Sequence, residues 1–256
     1  MKTELQAPIQ YWLSVGDDRV HMNEHIGSHV KLTFEGEIYC ISCGKRTNKS
    51  FAQGFCYPCF MESPDNSECI IRPELCEAHT GGGRDPEWEK KHHLREHVVY
   101  LAVSSAVKVG VTGGHGFQTR WIDQGASAAI RFALTPYRQA AGLIEVALKE
   151  HLTDRTHWQK MLKNDVLHDL DLVAKKKEIA NLLPTDLVQY VTDNDQVTNL
   201  EFPVTEYPTK VKSINLDKTP IAEGTLMGIK GQYLIFDGGR VINIRKYNGY
   251  LMTLEF

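Results

Sequence analysis

No run of apolar residues in this sequence approaches the roughly 20 that a helix needs to cross a bilayer. The opening MKTELQAPIQYWLSVGDD lacks the charged-then-apolar order of a secretory signal. No large excess of one charge exists either. A net charge of −3 gives no global pull toward nucleic acid, so any such binding has to come from a local basic patch. The sequence has no internal repeat and no low-complexity tract. Cysteine is missing everywhere except between Cys40 and Cys76. Together these absences set the expectation of a cytoplasmic protein with no membrane partner. Thiols stay reduced in that compartment, so clustered cysteines read as metal ligands rather than disulfides. With 42% hydrophobic and 24% charged residues, the composition is that of an ordinary folded chain.

The cysteines that are present carry the sharpest pattern. Cys40-Ile-Ser-Cys43-Gly and Cys56-Tyr-Pro-Cys59 are two C-x2-C pairs separated by twelve residues. Zinc takes four soft ligands tetrahedrally, and two such knuckles close the shell. Gly44 supplies the backbone freedom to turn back after the first pair. The alternatives are four unligated thiols or two redox pairs. The spacing is that of a zinc ribbon or knuckle, whose closed shell makes the metal structural.

A second set is Cys69, Cys76 and His79, with His92, His93 and His97 downstream. A second zinc held by Cys69, Cys76, His79 and His93 is one reading, with His92 or His97 in place of His93. The other reading is two small core cysteines beside a solvated helix. Three protein ligands and a water would make such a zinc catalytic.

The chain as a whole reads as α+β. Leu32–Phe34 reads as a strand, Glu35-Gly36-Glu37 as a turn, and Ile38-Tyr39 as the start of a second strand. Asp85 with Pro86 opens a short helix. VVYLAVSSAVKVGVTGG (98–114) reads as a hairpin with Ser104-Ser105-Ala106 at its turn. Thr119 would cap a short helix stopped by Gly125, and Ala128–Leu134 is a further strand. Thr135-Pro136 would open a helix whose face is Ala140, Leu143, Ile144, Ala147, Leu148 and His151. A second helix is expected from Thr156 to Pro184, with a possible break. From Thr198 the pattern is strands and turns. Residues 1–39 and 198–256 are expected to form one small antiparallel β module, 40–97 a cysteine-rich zinc region, and 98–197 an α/β core.

Residues 98–162 resemble the GIY-YIG nuclease superfamily, in its divergent phage-type branch. Val98-Val99-Tyr100 matches the first triplet, and Lys108-Val109-Gly110 the second. Arg120 follows on a short helix, and Glu145 sits in GLIEVALKEHL. The resemblance implies a three-stranded antiparallel sheet flanked by helices. It gives Tyr100 a base or water-orienting role, Arg120 a phosphate contact, and Glu145 a divalent Mg or Mn. Lys108 stands where the family has tyrosine. A lysine binds phosphate as a point charge, but while protonated it cannot accept a hydrogen bond as a phenol does. His115, on a glycine-rich loop, is a substitute base. Glu145 also has a plainer explanation, an ion pair with Lys149 four residues on. The full length also resembles an uncharacterised bacterial family, through IRPELCEAH (71–79), TRWIDQGA (119–126) and GIKGQYLIFD (228–237).

Three functions follow as expectations. The first is a zinc-containing nucleic-acid-binding protein, DNA or RNA unresolved. Its positive groups would be Lys108, Arg120, Arg131 and Arg138, with Lys45, Arg46 and Lys49 on the ribbon and Phe51 or Tyr57 for base stacking. The second is an active metal-dependent nuclease. The third is a scaffold for a protein partner, with structural zinc.

Overall fold

The computed structural model describes residues 1–152, 157–168 and 170–256. The chain is a mixed α+β protein. It begins with strands β1 (Lys2–Glu4), β2 (Gln10–Val15), β3 (Asp18–His21), β4 (His29–Tyr39) and β5 (Arg46–Thr47). Helices α1 (Tyr57–Glu62) and α2 (Pro86–His93) follow, separated by short 3-10 turns. Then come β6 (His97–Val103), β7 (Val107–Gly113), α3 (Phe117–Asp123), β8 (Ala128–Thr135) and α4 (Arg138–Lys149). Helices α5 (Trp158–Leu162), α6 (Leu172–Ala180) and α7 (Thr185–Val188) lead to β9 (Val197–Asn199). The chain closes with β10 (Lys212–Ser213), β11 (Ile221–Lys230), β12 (Tyr233–Phe236), β13 (Arg240–Asn243) and β14 (Tyr250–Glu255).

β6 is the central strand of the sheet that matters most, ordered β7-β6-β8-β9 and antiparallel throughout. All seven of its residues are buried. Side chains alternate across a strand, so β6 feeds two cores. Val98, Tyr100 and Ala102 join Trp121 and Ile122 of α3 and apolar residues of β11 and β12. Val99, Leu101 and Val103 join Ala141, Ile144 and Leu148 of α4 and Ile179 of α6. The sheet has four strands, not three. The fourth, β9, lies about 60 residues beyond β8 in sequence, and Thr198 and Asn199 pair with Ala129 and Ala128.

The two chain ends meet in a second sheet, in which β4 pairs with both β11 and β14. Glu35-Gly36-Glu37 is not a turn. β4 runs straight through it as a bulge, with Phe34 facing Met252 and Ile38 facing Tyr250. Three residues of β4 thus oppose one of β14, and Gly36 takes the positive φ of 82° that the bulge needs. Residues 2–21 form a separate three-stranded sheet.

Helix boundaries also depart from expectation. Asp85 caps α2 as read, its Oδ1 accepting the Trp88 N–H at 3.0 Å. Thr119 caps nothing, since α3 starts two residues earlier after Gly116. Thr135 ends β8 opposite His97, and its hydroxyl donates to the Tyr137 carbonyl instead of receiving an N–H. On α4, Leu143 is exposed while Ala141 and Glu145 are buried, so the inward face is rotated from the one expected. Instead of one long helix before Pro184 there are α5 and α6, with Asn164 in the left-handed region at φ 58° between them. The expected start at Thr156 lies outside the described residues.

Candidate functional site

Cys40, Cys43, Cys56 and Cys59 come together, with all four sulfurs within 4.8 Å of one another. The first knuckle closes through the Gly44 N–H donating to the Cys40 carbonyl at 2.8 Å, with Gly44 at φ 69°. The second starts α1, whose first turn follows Cys56. Against the upward push of burial, the N–H groups of Cys56, Cys43 and Ser42 bring the Cys40 thiol down to about 6. Such N–H donors stabilise a thiolate, the form that zinc binds. These four cysteines can hold a zinc ion.

A second cluster, wholly buried, is Cys69, Cys76, Glu89 and His93. His79 is not part of it: its ring stacks on Tyr137 at 4.9 Å. His92 stacks on Trp88 at 4.1 Å. His97 uses Nδ1 to bond the Arg95 carbonyl, and burial lowers its pKa to about 4. Glu89 takes the place expected for His79. It precedes His93 by four residues on α2, the spacing that puts two side chains on one helix face. That spacing was readable in the sequence. A hydrogen bond with Cys76, acting against burial and aided by His93, pulls the Cys69 thiol down to about 3. Cys76, hydrogen-bonded to Cys69, is pushed up.

The residues matched to the nuclease triplets also converge. Tyr100, Lys108, Gly110, Arg120 and Glu145 line one cleft of about 540 Å³. β7 is the edge strand of its sheet, and the cleft gathers at that edge. On one side α3 supplies Arg120 and Gln124. On the other, α4 supplies Arg138 and Glu145. The Tyr100 hydroxyl accepts a hydrogen bond from Gln124 Nε2 at 2.6 Å. Burial pushes its phenol up to about 12, with the Arg120 charge pulling the other way. At neutral pH it is therefore a donor and not a base. Glu145 pairs with Lys149 at 3.6 Å.

Four cationic side chains line the cleft (Lys108, Arg120, Arg138, Arg245), against the carboxylates of Glu145 and Asp65. Arg138 is committed to the wall. Its Nε and one terminal nitrogen donate to the carbonyls of Cys69 and Ile70, each at 2.9 Å. Arg245 and Asn248 were not readable as site residues, because they arrive from the C-terminal sheet with no local motif. Partial burial and the neighbouring Arg120 charge hold the Arg245 guanidinium below its ordinary value. Asp123 lies 4.0 Å from Arg245.

Other expected contributors sit elsewhere. His115 is exposed on its turn and does not line the cleft. Arg131 lies over the Phe117 ring at 5.5 Å. The ribbon's cations also point away: Arg46 pairs with Glu37 at 3.1 Å and Lys49 covers Phe51 at 5.1 Å. Lys45 is exposed outside the cleft. Phe51 and Tyr57 pack on each other, with ring centres 5.4 Å apart. What the ribbon gives the cleft is Ile41, Ala52, Gln53 and Phe55.

No helix among the described residues is long and apolar enough to cross a membrane. No curated protein and no solved structure matches the chain significantly. A family model does match, over residues 27–252, a span that takes in both cysteine clusters, the cleft and most of the C-terminal sheet: the chain belongs to the family described as "Protein of unknown function (DUF2797)".

Proposed function

We propose that this protein binds nucleic acid, with the phosphodiester backbone in the cleft at the edge of β7. The observation that carries the reading is the meeting of Lys108, Arg120 and Arg245 with the Tyr100 hydroxyl and Asn248 in one cleft. Cations and neutral donors grouped this way complement a phosphate chain, which a net charge of −3 does not. Ile41 and Phe55 of the ribbon give an apolar wall against which a base can rest. The zinc of the four-cysteine knuckle then acts at a distance, by holding that wall in shape.

The test is binding of fluorescently labelled single- and double-stranded DNA and RNA across a salt series. Binding that weakens steeply with salt, and that Arg120→Ala reduces, supports the reading. A protein with no affinity for any of these at low salt would be a scaffold instead, with its zinc purely structural.

A second reading, phosphodiester cleavage, is favoured by Glu145 and Tyr100 sharing the cleft. A Mg or Mn ion at Glu145 would supply Lewis acidity to the phosphate. Tyr100, being a donor, would orient the water or a phosphate oxygen, and Arg120 would meet the developing charge. Incubating labelled nucleic acid with protein and Mg or Mn separates the two readings, and cleavage that survives Glu145→Ala would rule out the second.

A further inference from the structure

We infer that Cys69, Cys76, Glu89 and His93 form a second, closed zinc site that fastens the segment before α2 onto α2 itself and so shapes the face that packs on α4. The inference is independent of what the cleft binds.

The segment concerned has little within itself to hold it. Between Ser63 and Gly81 the chain makes only 3-10 turns, at Pro64–Asn66, Glu68–Ile70, Pro73–Leu75 and Ala78–Thr80. Its own apolar cluster consists of Cys69, Cys76 and Ala78. Fixing each backbone residue costs about 1–2 kcal/mol, and three small side chains cannot offset that over such a length. Yet the segment is packed tightly against its neighbours. A Cβ on Gly142 of α4 would collide with the backbone of Pro73 and Glu74.

The four side chains bond one another and their surroundings, His93 Nδ1 with Glu89 Oε2 and Cys69 with Ser67 at 3.2 Å, and a cation can take over these contacts as their common partner. They are 7%, 1%, 1% and 3% exposed in the order Cys69, Cys76, Glu89, His93. Their ligand atoms lie within 4.8 Å of one another. Cys69 Sγ is 3.7 Å and Cys76 Sγ 3.5 Å from His93 Nδ1, and Cys69 Sγ is 3.8 Å from Glu89 Oε2. Tetrahedral zinc, with bonds of 2.0–2.3 Å, puts its ligands roughly 3.3–3.8 Å apart, which these sulfur distances match, while His93 Nδ1 and Glu89 Oε2 touch directly and would have to part to admit the ion. The other Glu89 oxygen, Oε1, is buried with no hydrogen-bond partner. The His93–Glu89 pair offsets part of the cost of burying this cluster, but the orphan oxygen beside two thiols is left uncompensated without an ion. Soft thiolates with an imidazole select zinc over hard oxygen-seeking cations. Four protein donors leave no position for water, so the site is structural and not hydrolytic.

The site also reaches the cleft. Cys69 and Ile70 present the carbonyls that Arg138 grips, and Ile70, Ile71 and Pro73 line the cleft wall. Gly142, against which Pro73 and Glu74 pack, lies one turn before Glu145 on α4.

Metal analysis of the purified full chain tests the site. Two zinc equivalents per chain are expected in the wild type, falling to one in Cys69→Ser and in Cys40→Ser, with His79→Ala unchanged. A wild type holding one equivalent, lost in Cys40→Ser, would overturn the inference, and so would a folded Cys69→Ser that keeps two. Should Cys69→Ser not fold, zinc-edge X-ray absorption on the wild type decides. An average of about three sulfur ligands per zinc is expected, against four for the ribbon alone. With cobalt in place of zinc, Glu89→Gln should shift one set of visible bands and His79→Ala none. No shift in Glu89→Gln removes the carboxylate from the ligand set.

Discussion

Tyr100 and Gly110 face each other across the β6–β7 hairpin, and a Cβ at Gly110 would come within 2.5 Å of the Tyr100 hydroxyl oxygen. Gly110 is therefore the floor on which the phenol lies, and its φ is not the reason for glycine. Gly110→Ala forces the ring off this floor and into the Gln124 bond. The expected loss is about 1–3 kcal/mol of stability, the usual range for overpacking. Urea denaturation measures it, and the loss should largely vanish when Tyr100→Ala is the background. A cost as large in that background would mean that Gly110 answers to something other than Tyr100.

Arg120 and Arg245 reach the cleft from α3 and from the C-terminal sheet. If both meet phosphate, each alanine variant should lower the slope of log affinity against log salt by about 1. Arg131→Ala should change neither affinity nor slope, because its guanidinium is stacked on Phe117 away from the cleft. Titration of labelled nucleic acid at several salt concentrations measures all three. An effect at Arg131 equal to that at Arg120 would place the binding surface on the wrong side of the hairpin.

How much of this was legible in the sequence follows from distance along the chain. The hairpin, β8, the helix bearing Glu145 and the four-cysteine cluster were readable because runs of β-favouring residues, helical apolar spacing and C-x2-C spacing are local signals. The bulge at Glu35–Glu37 was not, since Gly36 between two polar residues looks the same whether the chain turns or bulges. The helix break at Asn164 was hidden because apolar periodicity continues on both sides of a residue with positive φ. β9, Arg245 and Asn248 were out of reach for another reason. Nothing near them in sequence says which sheet edge they will meet. Glu89 carries only a weak signal, because a carboxylate on a charged helix face usually serves solvation, and its four-residue spacing from His93 gains meaning only beside Cys69 and Cys76.

Lys230 presents a separate test. It is 1% exposed, bonds Asn164 Oδ1 at 2.7 Å, and sits over the rings of Phe202 and Tyr207 at 5.3 and 5.0 Å. Among the described residues no carboxylate pairs with it. Burial lowers its pKa to about 8. An unfolded lysine titrates near 10.4, so between those values the unfolded chain holds the extra proton. Stability from this group therefore rises as pH climbs from about 8 toward 10.4. At pH 7 the buried charge costs on the order of 3 kcal/mol before the aromatic rings offset part of it. Relative to Lys230→Met, the wild type should gain stability between pH 7 and pH 10, as read from urea midpoints. A gap that does not move with pH would mean that Lys230 titrates normally.

The two cysteine clusters should part with metal at different rates. Cys43 is exposed, Cys56 and Cys59 are half-buried and only Cys40 of the ribbon set is buried, whereas Cys69 and Cys76 are both buried. A chelator or thiol reagent reaches the ribbon sulfurs without unfolding the chain. To reach Cys69 and Cys76 it must wait for the segment before α2 to come away from α4, where Arg138 and the Gly142 contact hold it. Local opening of a packed segment is rarer than solvent access to an exposed thiolate. Zinc release into a chromogenic chelator should therefore run in two phases of equal amplitude. Cys40→Ser should lack the fast one, and Arg138→Ala should speed the slow one, because it frees the Cys69 and Ile70 carbonyls. A single phase, or a slow phase indifferent to Arg138, would show that the buried cluster is not held shut by α4.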